Sequence, residues 1–81
     1  MSYQIFFHPI AETELLESSI WYADKNIMAY QNFTSEIASL ILVIQKNPLV
    51  FQIAYENKHK ASLTDFPYSI VYAIQGHRIL I

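Results

Sequence analysis

The chain begins with alternation. In "SYQIFFH", Tyr3, Ile5 and Phe7 interleave with Gln4, Phe6 and His8, and aromatic and β-branched residues suit a pleated surface, which predicts a strand over residues 2–7. Pro9 then marks the first turn of a helix, where its missing N–H costs nothing. Glu12, Glu14 and Glu17 follow near the positive end of the helix dipole. Leu16, Ile20, Ala23 and Ile27 recur at helical spacing with Leu15 and Tyr22 beside them, predicting an amphipathic helix over 10–24. "ADKN" reads as a tight turn in which Asn26 caps the next helix.

The second helix has the stronger pattern. Tyr30, Phe33, Ile37, Leu40, Ile41 and Ile44 share one face, and Asn47-Pro48 ends it because a residue before proline avoids the α region. The short connection makes the two helices antiparallel neighbours. From Pro48 onward the period drops to two. A strand is expected near 58–64, followed by "YSIVYAI", in which Tyr68, Ile70, Tyr72 and Ile74 form the heavy face turned toward the helices. Gly76-His77 is a two-residue hairpin loop of the glycine-first kind, and "RILI" returns antiparallel. The expected fold is α+β: an N-terminal strand, then an antiparallel helical hairpin on one face of a small antiparallel sheet, all in one domain spanning 1–81.

Composition adds one fact to this picture. Hydrophobic residues make up 53% of the 81 and aromatics 15%, more than a core of this size readily hides, so some apolar surface is expected to face a partner or a second copy. The absence of cysteine excludes a disulfide framework and fits a cytoplasmic protein. The start lacks a basic n-region and a small-residue cleavage site, and the longest apolar run, Leu40 to Ile44, is far short of the ~20 residues of a membrane span. Residues 1–47 carry five carboxylates against two lysines, while residues 48–81 carry three cationic side chains against two carboxylates, plus His59 and His77. A net charge of −2 is unlike a nucleic-acid-binding module, so any such contact would be local.

Candidate chemistry is sparse. His8, His59 and His77 are scattered without metal-ligand spacing, one glycine rules out a phosphate-cradling loop, and no serine sits in a nucleophile-elbow motif. No metal and no cofactor is expected. Glu14 and Glu17 read as a solvated helix face. "YENKHK" remains: Lys58 and Lys60 point one way along a strand and His59 the other, an arrangement that stabilises phosphate charge or simply guards a strand against edge-to-edge pairing.

"FHPIAETELLESSIWY", the helix ending "QKNP", and "YENKHKASLTDFPYSIVYAI" together resemble the RelE/ParE toxin superfamily of bacterial type II toxin–antitoxin modules over essentially the whole chain. The most specific elements are Tyr55 and Asn57, followed by Phe66-Pro67-Tyr68 leading into a strand with Tyr72. The resemblance implies a growth-inhibiting toxin neutralised by a cognate antitoxin. In the ParE-like branch the target is DNA gyrase; in the RelE-like branch it is mRNA on the ribosome, cut without metal.

Under the RelE-like alternative the catalytic residues are Lys60, His59, Lys58 and Arg78. Partner binding is assigned to Tyr55, Tyr68, Tyr72, Arg78, Ile79 and Ile81. Ser62 and Ser69 stand where the nuclease branch carries lysine and arginine, and the segment that usually follows the strand at Arg78–Ile81 is missing. Those departures favour the ParE-like, non-enzymatic branch and add a third reading: a shortened relative that binds antitoxin without toxicity. Arg78–Ile81 is expected to form an open sheet edge, available to an antitoxin strand, with a homodimer or toxin–antitoxin hetero-oligomer as the assembly.

Overall fold

The computed structural model describes residues 3–81; Ser2, the first residue of the strand expected over 2–7, lies outside them. The elements are β1 (Gln4–Phe6), α1 (Pro9–Lys25), α2 (Ile27–Lys46), a short 3₁₀ turn (Pro48–Val50), β2 (Ile53–Tyr55), β3 (Lys58–Ser62), β4 (Ser69–Gln75) and β5 (Arg78–Leu80). The five strands form one sheet in the order β1-β5-β4-β3-β2. The fold is α+β, as the pattern indicates.

The sheet, however, is mixed. β1 runs parallel to β5, with Gln4 opposite Arg78 and Phe6 opposite Leu80, while the β2, β3, β4 and β5 pairings are antiparallel. The open edge expected at Arg78–Ile81 does not exist, because β5 lies between β1 and β4. Sequence alternation shows which residues share a face, and it carries no information about lateral order.

A single residue joins the helices. Asn26 closes α1 by donating its backbone N–H to the Tyr22 carbonyl, and its Oδ1 accepts from the N–H groups of Met28 (2.7 Å) and Ala29 (3.4 Å) to start α2. The turn expected over "ADKN" shrinks to this one residue, with Ala23, Asp24 and Lys25 helical. At the other end His8 caps α1, its Nδ1 accepting from Ile10 N–H at 3.1 Å.

α2 is the core helix. Its Phe33, Ile37 and Ile44 are buried with Ala61 and Leu63 and with Ile70, Tyr72 and Ile79 of the sheet. By length and composition α2 would also pass as a membrane span, yet this face packs on strands. Phe33 sits in an aromatic cluster, with ring centroids 4.8 Å from Tyr22, 5.3 Å from Phe66 and 5.4 Å from Tyr68. The Phe66 and Tyr68 contacts are edge-on, and such pairs contribute beyond simple burial. The Glu36 carboxylate accepts from the N–H groups of Thr64 and Asp65, tying the β3–β4 loop to α2.

α1 is different. None of its 17 residues is buried. Leu15 and Tyr22 pack against the core, whereas Leu16, Ile20, Ala23 and Ile27, the stripe picked out by spacing, are all exposed. A one-residue connection leaves α1 little rotational freedom, and the Tyr22 ring against Phe33 and Phe66 fixes which side faces in. The molecule is accordingly elongated, 38 × 22 × 21 Å.

β2 was not expected as a strand. It is three exposed residues, paired to β3 with Tyr55 opposite Lys58 and a bulge before it. The connection is Glu56-Asn57, and Glu56 has φ +49°, the one left-handed non-glycine among the described residues. That conformation costs an L-residue about 1–2 kcal/mol. Glu56→Gly is therefore expected to raise stability by about 1 kcal/mol, since the Glu56–Lys58 ion pair it removes (3.5 Å) is exposed and contributes little. An unchanged urea midpoint would remove the strain account. At the β4–β5 turn Gly76 itself takes the left-handed position, φ +58°, as the glycine-first loop requires.

Candidate functional site

A cleft of about 530 Å³ opens between the start of α1 and the first half of β4, lined by His8 and Glu14 on one wall and by Tyr68, Ser69 and Val71 on the other. Tyr55, Lys58 and Ile81 complete its polar and apolar lining, with Ile10, Ala11, Leu15 and Ile70. Its size falls within the range of ligand and peptide pockets. The elements explain the position. β5 pairs with Ala73, Ile74 and Gln75, and the start of α1, which follows β1, faces the first half of β4.

Of the sequence-selected residues, Tyr55, Lys58, Tyr68 and Ile81 meet in this cleft. Lys58 lies over the Tyr55 ring, Nζ 5.3 Å from its centroid, and is paired with Glu56. Tyr68 is half-buried; burial first, then the Glu14 carboxylate, pushes its hydroxyl pKa up.

The others are elsewhere. His59 is buried, its ring stacked on Tyr72 at 5.2 Å and its Nδ1 bonded to the Phe51 carbonyl oxygen at 2.7 Å. This is a core histidine, not an acid–base group facing solvent. Tyr72 is 1% exposed and donates its hydroxyl to the Pro48 carbonyl at 2.6 Å, so it is a core residue rather than a partner-binding one. Ile79 is fully buried, and the binding role read for it is likewise corrected. Lys60 is exposed on the face shared with Lys58 but does not line the cleft. Arg78 is on β5, two strands from Lys58, over the Phe6 ring at 5.7 Å. Lys58, Lys60 and Arg78 thus share one face of the sheet, with Arg78 two strands away, while His59 is turned into the core.

Two ionisable residues of the cleft, His8 and Glu14, were not singled out as functional. Glu14 was assigned to a solvated helix face, and nothing in its spacing shows that Tyr68 lies opposite. His8 carried a local signal, since a polar side chain directly before Pro9 is placed to cap a helix. Among the described residues, no group of three or more His, Cys, Asp or Glu is arranged to hold a metal ion.

The tyrosines predict a pH response. Burial raises the pKa of Tyr72 as it does that of Tyr68. A tyrosine with a raised folded pKa binds more protons folded than unfolded above the ordinary value of about 10, so stability falls with rising pH there and is unaffected below it. The urea midpoint is expected to hold up to about pH 10 and to drop beyond it, with a shallower drop in Tyr68→Phe. Equal slopes in the two proteins would show that Tyr68 takes no part.

Comparison with known proteins gives no match: no family model, no curated protein and no solved structure corresponds to this chain.

Proposed function

We propose that this chain is a toxin-like growth inhibitor of the ParE-like kind, which binds a cellular protein, DNA gyrase, in the cytoplasm and is neutralised by a cognate antitoxin. The observation that carries the reading is the outer surface of the helical hairpin. Leu16, Ile20 and Trp21 of α1 and Ile27 and Met28 at the turn are each more than half exposed. A soluble monomer rarely leaves such side chains together in water, and tryptophan is enriched where binding energy concentrates. The burial of His59 in the core, and a strand between Arg78 and the lysines, argue against RNA cleavage, which needs its cationic and acid–base groups around one phosphate.

The reading is tested by a supercoiling assay. The purified chain is expected to inhibit gyrase at micromolar concentration. The double variant Leu16→Ser, Trp21→Ser, altered only at exposed positions, is expected to inhibit at least about tenfold more weakly, equivalent to about 1.4 kcal/mol. Supercoiling that is unaffected by the unaltered protein sinks the gyrase reading, and inhibition indifferent to the double variant removes the hairpin as its surface.

A further inference from the structure

A second pocket, of about 460 Å³, lies between the middle of α1 and the loop that enters β4. Glu17, Ser18, Trp21 and Tyr22 line it from the helix, one turn apart in pairs, and Pro67 and Tyr68 line it from the loop. The pocket is not a strand edge. Pro67 has no N–H, the Tyr68 N–H donates to the Phe66 carbonyl (2.8 Å), and the Tyr68 carbonyl accepts from Leu63 (2.9 Å). It lies past the last β3–β4 pair, Ser62 with Ser69, and can recognise an occupant only through side chains.

Those side chains are aromatic and anionic. The Trp21 and Tyr22 rings stand 5.0 Å apart with their planes at 89°. Tyr22 is wedged against Phe33 (4.8 Å) and Phe66 (4.9 Å), which fixes this wall before anything binds. An aromatic face attracts a cation, and the Trp21 ring already holds one at the rim. The Nζ of Lys25, a residue outside the lining, lies 5.1 Å from its centroid. Glu17 sits one turn before Trp21, and Glu14 one turn before Glu17. Neither carboxylate is in an ion pair among the described residues, where the one such pair joins Lys58 to Glu56. No cationic side chain lines the pocket.

A flat guanidinium suits this set better than an ammonium. It stacks on an aromatic face, is more weakly hydrated and donates two parallel bonds to one carboxylate. We propose that this pocket accepts an arginine side chain of a partner protein, its guanidinium stacked on Trp21 and donating to the Glu17 carboxylate. The assignment rests on the pocket alone and is read out without gyrase, so it stands or falls separately from the inhibition.

The probe is acetyl-arginine-methylamide, titrated into the whole protein at constant ionic strength. Binding is followed by the fluorescence and the indole N–H resonance of Trp21, the chain's one tryptophan. Acetyl-citrulline-methylamide has nearly the same shape without the charge and is expected to bind at least about fivefold more weakly. Glu17→Gln, at an exposed position, is expected to weaken the arginine probe by a similar factor and to leave the citrulline probe unchanged. Glu12→Gln removes an equal charge from the same helix outside the pocket and is expected to change binding by no more than about twofold. Equal binding of the arginine and citrulline probes, equal loss in the two glutamine variants, or no response of Trp21 at about 50 mM probe overturns the proposal. Equal binding of acetyl-lysine-methylamide overturns the guanidinium assignment in favour of a site for any cation.

Discussion

Phe33→Ala is expected to cost about 4 kcal/mol, in the range found for deletion of fully buried aromatic side chains. Phe33 has no exposed surface and touches the rings of Tyr22, Phe66 and Tyr68, so one truncation removes its own burial and three aromatic contacts. Domain stabilities of roughly 0.05–0.15 kcal/mol per residue place that loss close to the whole stability of a chain this short. The effect also reaches the cleft, because Tyr68 rests on Phe33. Urea denaturation of Phe33→Ala beside Phe33→Leu checks the account. The leucine variant keeps most of the volume and is expected to lose less than half as much. A cost below about 1.5 kcal/mol for the alanine variant would mean that the cluster repacks without its centre.

Ile79→Ala is expected to cost about 3 kcal/mol, a typical value for an isoleucine truncated in a core. The residue decides between two accounts of the same strand. A binding residue on an open edge would change stability by no more than about 0.5 kcal/mol when truncated. A residue with no exposed surface, flanked by β1 and β4 and packed with Ile44 and Tyr72, carries the larger figure. Arg78→Ala, one position earlier and exposed, is the internal comparison and is expected to be near neutral. Similar small effects for both would restore the edge account.

The contrast between these positions shows what periodicity reports. Phe33, Ile37 and Ile44 were legible because α2 has one consistent apolar face and that face meets the sheet. The heavy face of β4 was legible for the same reason, with Ile70 and Tyr72 buried and Tyr68 and Ile74 packed beside them. α1 was misleading because it carries two apolar sides, and only the packing of Tyr22 and Leu15 selects between them. β2 was invisible because three exposed residues have no burial pattern; the neighbouring strand and the Glu56-Asn57 turn place it. The parallel β1–β5 contact and the cleft depend on residues more than fifty positions apart, which no local pattern encodes. Tyr55, Lys58 and Tyr68 were picked out for different reasons, and only the structure brings them into one cleft, while the buried roles of His59 and Tyr72 follow from the stacking of their rings beneath the sheet.

The pairing of β1 with β5 has a consequence for the order of events during synthesis. Gln4 lies alongside Arg78, so the first strand waits for residues 78–80 before it has a neighbour. Tyr3 can meet Gln45 sooner, through its N–H to the Gln45 carbonyl (3.2 Å) and the Gln45 amide to its own carbonyl (2.8 Å). The helical hairpin is built from local contacts, whereas the β1–β5 pairing joins residues far apart in the chain, and such non-local pairings form late in folding. A nascent chain on the ribosome therefore displays the apolar face of Phe33, Ile37 and Ile44 without its complete sheet until residues 78–80 emerge.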